Sequence, residues 1–328
     1  MLLRGFQQAN VLVLSSALAK DFEAFCIKNT APLPLLFMSE RGQMSCEAVA
    51  QQADVTMDIS QYCVYEHGKM LKTVSNLNEY KCCLRDMVCF YLGCSFGFEG
   101  KLKEAGVPLR NVEQDVNVSM YRTTVPCAPA GVFHCPMVVT MRPVPAEMID
   151  TVVEVTHLNP LAHGAPIHIG DPALLGIRDL SRPDYGDRVQ PESGDVPVFW
   201  ACGVTAVEAV LSSKPPLAFS HSPGSMFLTD LPDSSPALGL DPHLTPLSFR
   251  LSHCPLLYSL ASIRAVNKIR ALEKIIGEDP VLQMRTRWGL WSCCPGRTCC
   301  CPGQTGKKQV TDRRRPPADP GHINRGVS

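Results

Sequence analysis

"VPVFWACGVTAVEAVLSS", residues 196–213, decides the fold. Its first half is a continuous apolar run, the pattern of a strand buried on both faces at the centre of a sheet. Its second half begins at a glycine and takes up a helical apolar period, with Thr205 as the expected N-cap. A buried strand passing straight into a helix is the unit of an α/β protein.

The neighbouring segments repeat that alternation. Upstream, "PMVVTM" (136–141) predicts a strand. "PAEMIDTVVEVTH" (145–157) predicts a helix with Pro145 in its first turn and Met148, Val152 and Val155 inward. "PIHIG" (166–170) predicts a short strand with Ile167 and Ile169 on one side and His168 on the other. Downstream, "PLAFS" (216–220) is a further strand and "HSPG" (221–224) a turn. Nearer the start, "SALAKDFEAFCIKN" (16–29) predicts an amphipathic helix burying Phe22, Phe25 and Cys26. "APLPLLFM" (31–38) predicts an edge strand. "YCVYEHGKMLKTV" (62–74) reads as a hairpin turning at His67–Gly68. "LRDMVCFYLG" (84–93) has Leu84, Met87, Val88, Tyr91 and Leu92 at helical spacing and is expected to be a helix, with a second short helix in "FEGKLKEAG" (98–106). Strands alternating with helices predict a mostly parallel or mixed sheet.

Composition narrows the function. The 328 residues carry 31 basic and 31 acidic side chains, and this balance gives no electrostatic reason to expect a nucleic-acid partner. The longest apolar runs, such as "VLVLSSAL" (11–18), fall short of the roughly 20 residues that cross a bilayer. Five of the 16 cysteines crowd into "CCPGRTCCC" (293–301), and the other eleven are scattered singly or as Cys82-Cys83, mostly in apolar context, which reads as buried free thiols in a reducing compartment. On that basis the sequon at Asn117 carries no sugar. The N-terminus has Arg4 and no acid before Asp21, as a transit peptide would, but few basic residues, and it runs directly into a foldable segment.

Chemistry is expected beyond the strand ends. "PIHIG" leads to Asp171, "VPVFWA" to Cys202, and "PLAFS" to Ser220 and His221. His163 and His168 are five residues apart, and an odd offset along an extended segment puts them on opposite faces, so they are not expected to chelate a metal. His168, His221 and His163 are acid/base candidates because imidazole titrates near neutral pH. Asp171 either fixes a histidine tautomer or caps the helix beginning at Pro172. Arg122, in a segment expected to be a loop, is a candidate carboxylate clamp, with Tyr121 and Thr123 beside it. Ser95 and Cys202 complete the candidate substrate contacts, although Ser95 also suits an N-cap and Cys202 a buried inert thiol. The residues do not identify a cofactor.

Seven segments together, "GCSFGFE" (93–99), "NVSMYRTTVPCAPAGVF" (117–133), "PMVVTMRPVP" (136–145), "HGAPIHIGDPALLGI" (163–177), "DLSRPDYGD" (179–187), "VPVFWACGVT" (196–205) and "HSPGSMFLTDL" (221–231), resemble the D-glutamate cyclase family. The match runs in order over about residues 5–232. It implies a three-layer α/β/α sandwich with a mixed sheet and a smaller α/β subdomain. It also implies a hydro-lyase that converts D-glutamate to 5-oxo-D-proline. The partner is then a small carboxylic acid, and an oligomer is possible. Animal members are mitochondrial, which makes the mitochondrion the expected location; without a clear transit peptide the alternative is the cytoplasm. Departures are Ser119 where the family usually shows proline, Cys135 where glycine is common and Ser225 where histidine is frequent. The expected organisation is a domain over 1–250 with two subdomains, a helical junction over 251–280 leading to a second domain that is missing, and a disordered Cys/Pro/Arg-rich tail over 281–328. The alternatives to catalysis of this reaction are a ligand-binding module and a hydro-lyase for another small acid.

Overall fold

A computed structural model of the chain describes residues 5–232. The helical junction with its stripe of Ile263, Val266, Ile269, Leu272 and Ile276, and the cysteine-rich tail, lie outside the described residues. In chain order the elements are β1 (Phe6–Ser15), α1 (Ser16–Lys28), β2 (Leu35–Met38), β3 (Tyr62–Glu66), β4 (Lys69–Val74), α2 (Lys81–Leu84) and β5 (Met87–Gly93). Then come α3 (Phe96–Glu104), α4 (Arg110–Glu113), β6 (Ser119–Pro126), β7 (Pro136–Pro145), α5 (Ile149–His157), β8 (His168–Ile169), β9 (Asp195–Ala201), α6 (Thr205–Ser213), β10 (Ala218–His221) and β11 (Phe227–Pro232).

The α/β alternation holds, and the strands form two sheets. The larger has the order β2-β5-β1-β10-β3-β4, with β11 also pairing β1; the smaller is β6-β7-β9-β8. Every ladder among them is antiparallel, where a mostly parallel or mixed sheet was expected. The reason lies in β5. Strands β1 and β2, joined through α1, both run antiparallel to β5 and therefore parallel to each other, but β5 is inserted between them. The strand–helix–strand signal was real; a strand arriving later in the chain split it.

Both sheets contribute to one apolar cluster that also holds α1 (Phe22, Phe25, Cys26) and α6 (Ala206, Ala209, Val210). Helices α3 and α5 pack on Val198 and Trp200 of the smaller sheet. The far face of the larger sheet is covered mainly by Cys46, Val49, Val55 and Ile59, from irregular chain, in place of the helical layer of an α/β/α sandwich.

"LRDMVCFYLG", expected to be a helix, is strand β5. Val88, Phe90 and Leu92 enter the cluster shared with α1, and Met87, Cys89 and Tyr91 enter the opposite one. A strand buried on both faces is apolar throughout, so a helical spacing can always be picked from it. The hairpin at His67–Gly68, the edge strand β2 and helices α1 and α3 are as expected, and so is α5 except that it begins at Ile149, because Pro145, expected in its first turn, is the last residue of β7 and pairs with Asp195. Strand β8 is only two residues long, and Ile167 and Ile169 pack into different clusters instead of sharing a side. Thr205 does not cap α6; its Oγ1 is committed to the backbone of Val138, and Val204 occupies the cap position.

Candidate active site

The carboxyl ends of β5, β9 and β10 meet at one pocket. Its lining includes Asn10, Cys94, Ser95, Phe96, Asn117, Thr140, His163, Cys202, Gly203, Val204 and His221. Strands β5 and β10 both run antiparallel to β1 from its two sides, so their ends fall together near Asn10. Strand β9 delivers Cys202 and Gly203 to the same place. Two strand-to-helix turns of similar form therefore line the pocket: Cys94-Ser95 into α3 and Cys202-Gly203 into α6. The second turn approaches Asn10 so closely that a Cβ at position 203 would overlap its side-chain amide.

His221 owes its place to a break in pairing. On one edge of β1, Leu12–Leu14 pair with β10 and Phe6–Ala9 with β11, while the chain over 222–226 bridges the gap. The imidazole fills the space opposite Val11. Its Nδ1 accepts from the Val11 N–H at 3.1 Å and lies 3.3 Å from the Val11 carbonyl oxygen. With Nδ1 as acceptor, the ring proton is on Nε2. If Nδ1 carried the proton instead, it would donate to that carbonyl, so the ring can change tautomer without losing its backbone partner.

His163 has φ +74°, at the left-handed end of a short 3-10 turn over Pro160–Ala162. Its Nδ1 lies 2.7 Å from the Ala31 carbonyl oxygen and must donate to it, which leaves Nε2 unprotonated. With His221 Nδ1 accepting from Val11, the two pocket histidines hold opposite tautomers. Burial pushes both down to about 4. For His163 the carbonyl of Ala31 opposes this and the Arg142 charge adds to it. Both rings are neutral at pH 7.

Behind the pocket lies a buried ion pair that the sequence reading did not single out. Arg142 of β7 donates to Glu99 of α3 through Nε (3.0 Å) and Nη2 (2.5 Å), and through Nη2 to Ser95 Oγ (3.1 Å). Its guanidinium lies over the rings of Phe98 and Trp200. "PMVVTMRPVP" gave a strand signal, but only its alternation, read once both faces are known to be buried, marks Thr140 and Arg142 as polar intruders. Cys94 and Cys202 are pushed up to about 12 and about 11 by burial, so Cys202 is held as a thiol instead of a nucleophilic thiolate.

Of the expected site residues, His163, His221, Ser95 and Cys202 line this pocket; His168, Asp171, Arg122, Tyr121 and Thr123 do not. Strand β8 runs antiparallel to β9, so Asp171, beyond the end of β8, falls at the far end from Cys202, and His163, before the start of β8, falls near it. His168 stacks on Phe199, and its Nε2 bonds the Asp171 backbone oxygen. The Asp171 carboxylate caps the turn at Pro172–Leu175 by accepting from Ala173 N–H, and bonds no histidine. Arg122 sits on strand β6, not in a loop, and is already engaged by Glu208, Asp184 and Tyr185. The Tyr121 hydroxyl donates to Leu180 O and the Thr123 hydroxyl to Met137 O.

Among the described residues no group of three or more His, Cys, Asp or Glu is placed to hold a metal. Among them, too, no helix is long and apolar enough to cross a membrane.

The converging strand ends thus bring two buried, neutral histidines, His163 and His221, to one small pocket, an arrangement that can accept and donate protons. The comparisons with known proteins agree with such chemistry. The family profile described as D-glutamate cyclase matches residues 88–230. A protein of Natranaerobius thermophilus named "Putative hydro-lyase" is 45% identical over 232 residues, covering 71% of this chain and 88% of its own. One of the same name in Syntrophobacter fumaroxidans is 48% identical over 69% of this chain and 86% of its own. YcsI of Bacillus subtilis, also so named, is 44% identical over 71% and 90%. The chain belongs to the D-glutamate cyclase family.

Proposed function

We propose that this chain is a hydro-lyase that closes D-glutamate to 5-oxo-D-proline with loss of water. The observation that carries the proposal is that His163 and His221 both reach one pocket with Nδ1 engaged by backbone, at Ala31 and Val11, which leaves each Nε2 for a substrate. Ring closure needs an unprotonated α-amine to attack the side-chain carboxyl carbon. A C–N bond forms, a C–O bond breaks, and the two protons that the α-ammonium loses, one before attack and one after it, end on the departing oxygen, which leaves as water. His163 Nε2 is the base that takes the amine proton. The His221 Nε2–H donates a hydrogen bond to the leaving oxygen, which takes its protons by way of the His163 imidazolium, so both rings finish neutral. Membership of the family and the hydro-lyase names of the relatives support elimination of water.

The test is turnover of D- and L-glutamate by the purified protein, with chiral chromatography of the product. Stereospecific 5-oxoproline, lowered about 10²–10⁴-fold in His221→Gln, is expected. Product from neither enantiomer, together with dehydration of another small acid in a substrate panel, would transfer the same site to that acid.

A further inference from the structure

Val138, Thr140, Arg142 and Val144 of β7 share one strand face. The two valines pack into apolar clusters at either end of it. The two polar residues between them are equally buried, at 1% and 3% exposure. Arg142 is held by Glu99, Ser95 and two aromatic rings through Nε and Nη2, and only its Nη1 is left without a partner among the described residues. Thr140 has no such hold: its hydroxyl is sealed from solvent and has no hydrogen-bond partner. A valine has the same shape and would avoid an unsatisfied buried hydroxyl. Thr140 also lines the pocket, with His163, His221 and Ser95.

Ser95 is left with a donor to spare. Its Oγ accepts from Arg142 Nη2, and among the described residues the hydroxyl hydrogen goes to no protein acceptor, nor does Ser95 cap α3 with its side chain. The guanidinium supplies donors only, so it turns the Ser95 hydrogen away from itself.

We infer that Thr140 and Ser95 form a pair of hydroxyl donors that seats the unreacting carboxylate of the substrate, and that Arg142 is the positioning residue that aims Ser95. This rests on the pocket being the catalytic site proposed above. The seat uses two neutral donors beside a buried ion pair, where the sequence pointed to a guanidinium clamp at Arg122. Hydrogen bonds to a charged acceptor in a water-poor site are strong enough for each hydroxyl to matter on its own.

The test uses the full chain and glutarate, a dicarboxylate that lacks the amine and cannot react, so that binding is measured apart from turnover. Calorimetric titration is expected to show glutarate binding to the wild type. Thr140→Val should weaken it roughly tenfold or more, and Thr140→Ser should restore it to within about threefold. Thr140→Val should melt at or above the wild-type temperature, which no structural role of that hydroxyl would produce. Arg142→Lys keeps a cation for Glu99 but loses the donor to Ser95. It should weaken glutarate as Ser95→Ala does and add nothing in the double variant; additive losses would overturn its positioning role. Equal glutarate affinity in wild type, Thr140→Val and Ser95→Ala, or no binding by the wild type, overturns the seat. Failure of D-glutamate turnover with glutarate binding and its loss in Thr140→Val intact overturns the cyclase proposal and leaves the seat standing.

Discussion

Acidification from pH 7 to pH 5 should cost this fold stability through two specific rings. His163 and His221 are wholly buried and held at about 4, against an ordinary value of 6.5. A group whose value is depressed by folding binds protons better when unfolded, so its contribution is intact above about pH 6.5, is lost as the pH falls toward 4, and is constant below that. Integrating between the two values gives about 2 kcal/mol lost per histidine between pH 7 and pH 5, about 4 kcal/mol for both. That is a large share of a typical domain stability of roughly 5–15 kcal/mol. Urea unfolding followed by circular dichroism at pH 7, 6 and 5 measures the loss. Comparison with His163→Asn and His221→Gln removes the carboxylates, which titrate alike in all three proteins. Asn is chosen at 163 because it tolerates the left-handed backbone there. Each replacement should shrink the pH 7-to-5 loss by about 2 kcal/mol. A loss that is the same in wild type and both variants would refute the buried neutral state of these rings, and with it the tautomer assignments on which the proton transfers depend.

Gly203→Ala should lower both the melting temperature and the turnover, the latter by about tenfold or more, because the new Cβ displaces Asn10 from its 2.7 Å bond to Gly93 O at the pocket wall; wild-type KM and kcat would show that this contact is not needed. Arg122→Ala should leave glutamate KM within about twofold while destabilising the fold by roughly 1–3 kcal/mol, since it strips the buried Glu208 of its cation. A tenfold rise in KM at unchanged stability would return Arg122 to the substrate.

The sequence by itself determined the alternation of strands and helices, the family, and the chemistry-bearing ends of β9 and β10. Those features are local: "VPVFWACGVT" shows strand, turn and helix start within ten residues, and Cys202 and His221 follow their strands directly. Only the tertiary structure decided what meets what. Strand β1 yielded no strand signal beyond an apolar run, and β5 imitated a helix, because a strand packed on both sides loses the alternation that betrays it. The antiparallel pairing of β8 with β9 exchanged Asp171 for His163 at the pocket, a consequence of strand direction that no local pattern encodes. Arg122 looked available because its partners Glu208 and Asp184 lie 86 and 62 residues away. Thr140 and Arg142 looked like ordinary strand residues. They become informative only once both faces of β7 are known to be covered, since polarity signifies something inside a protein only when water is absent.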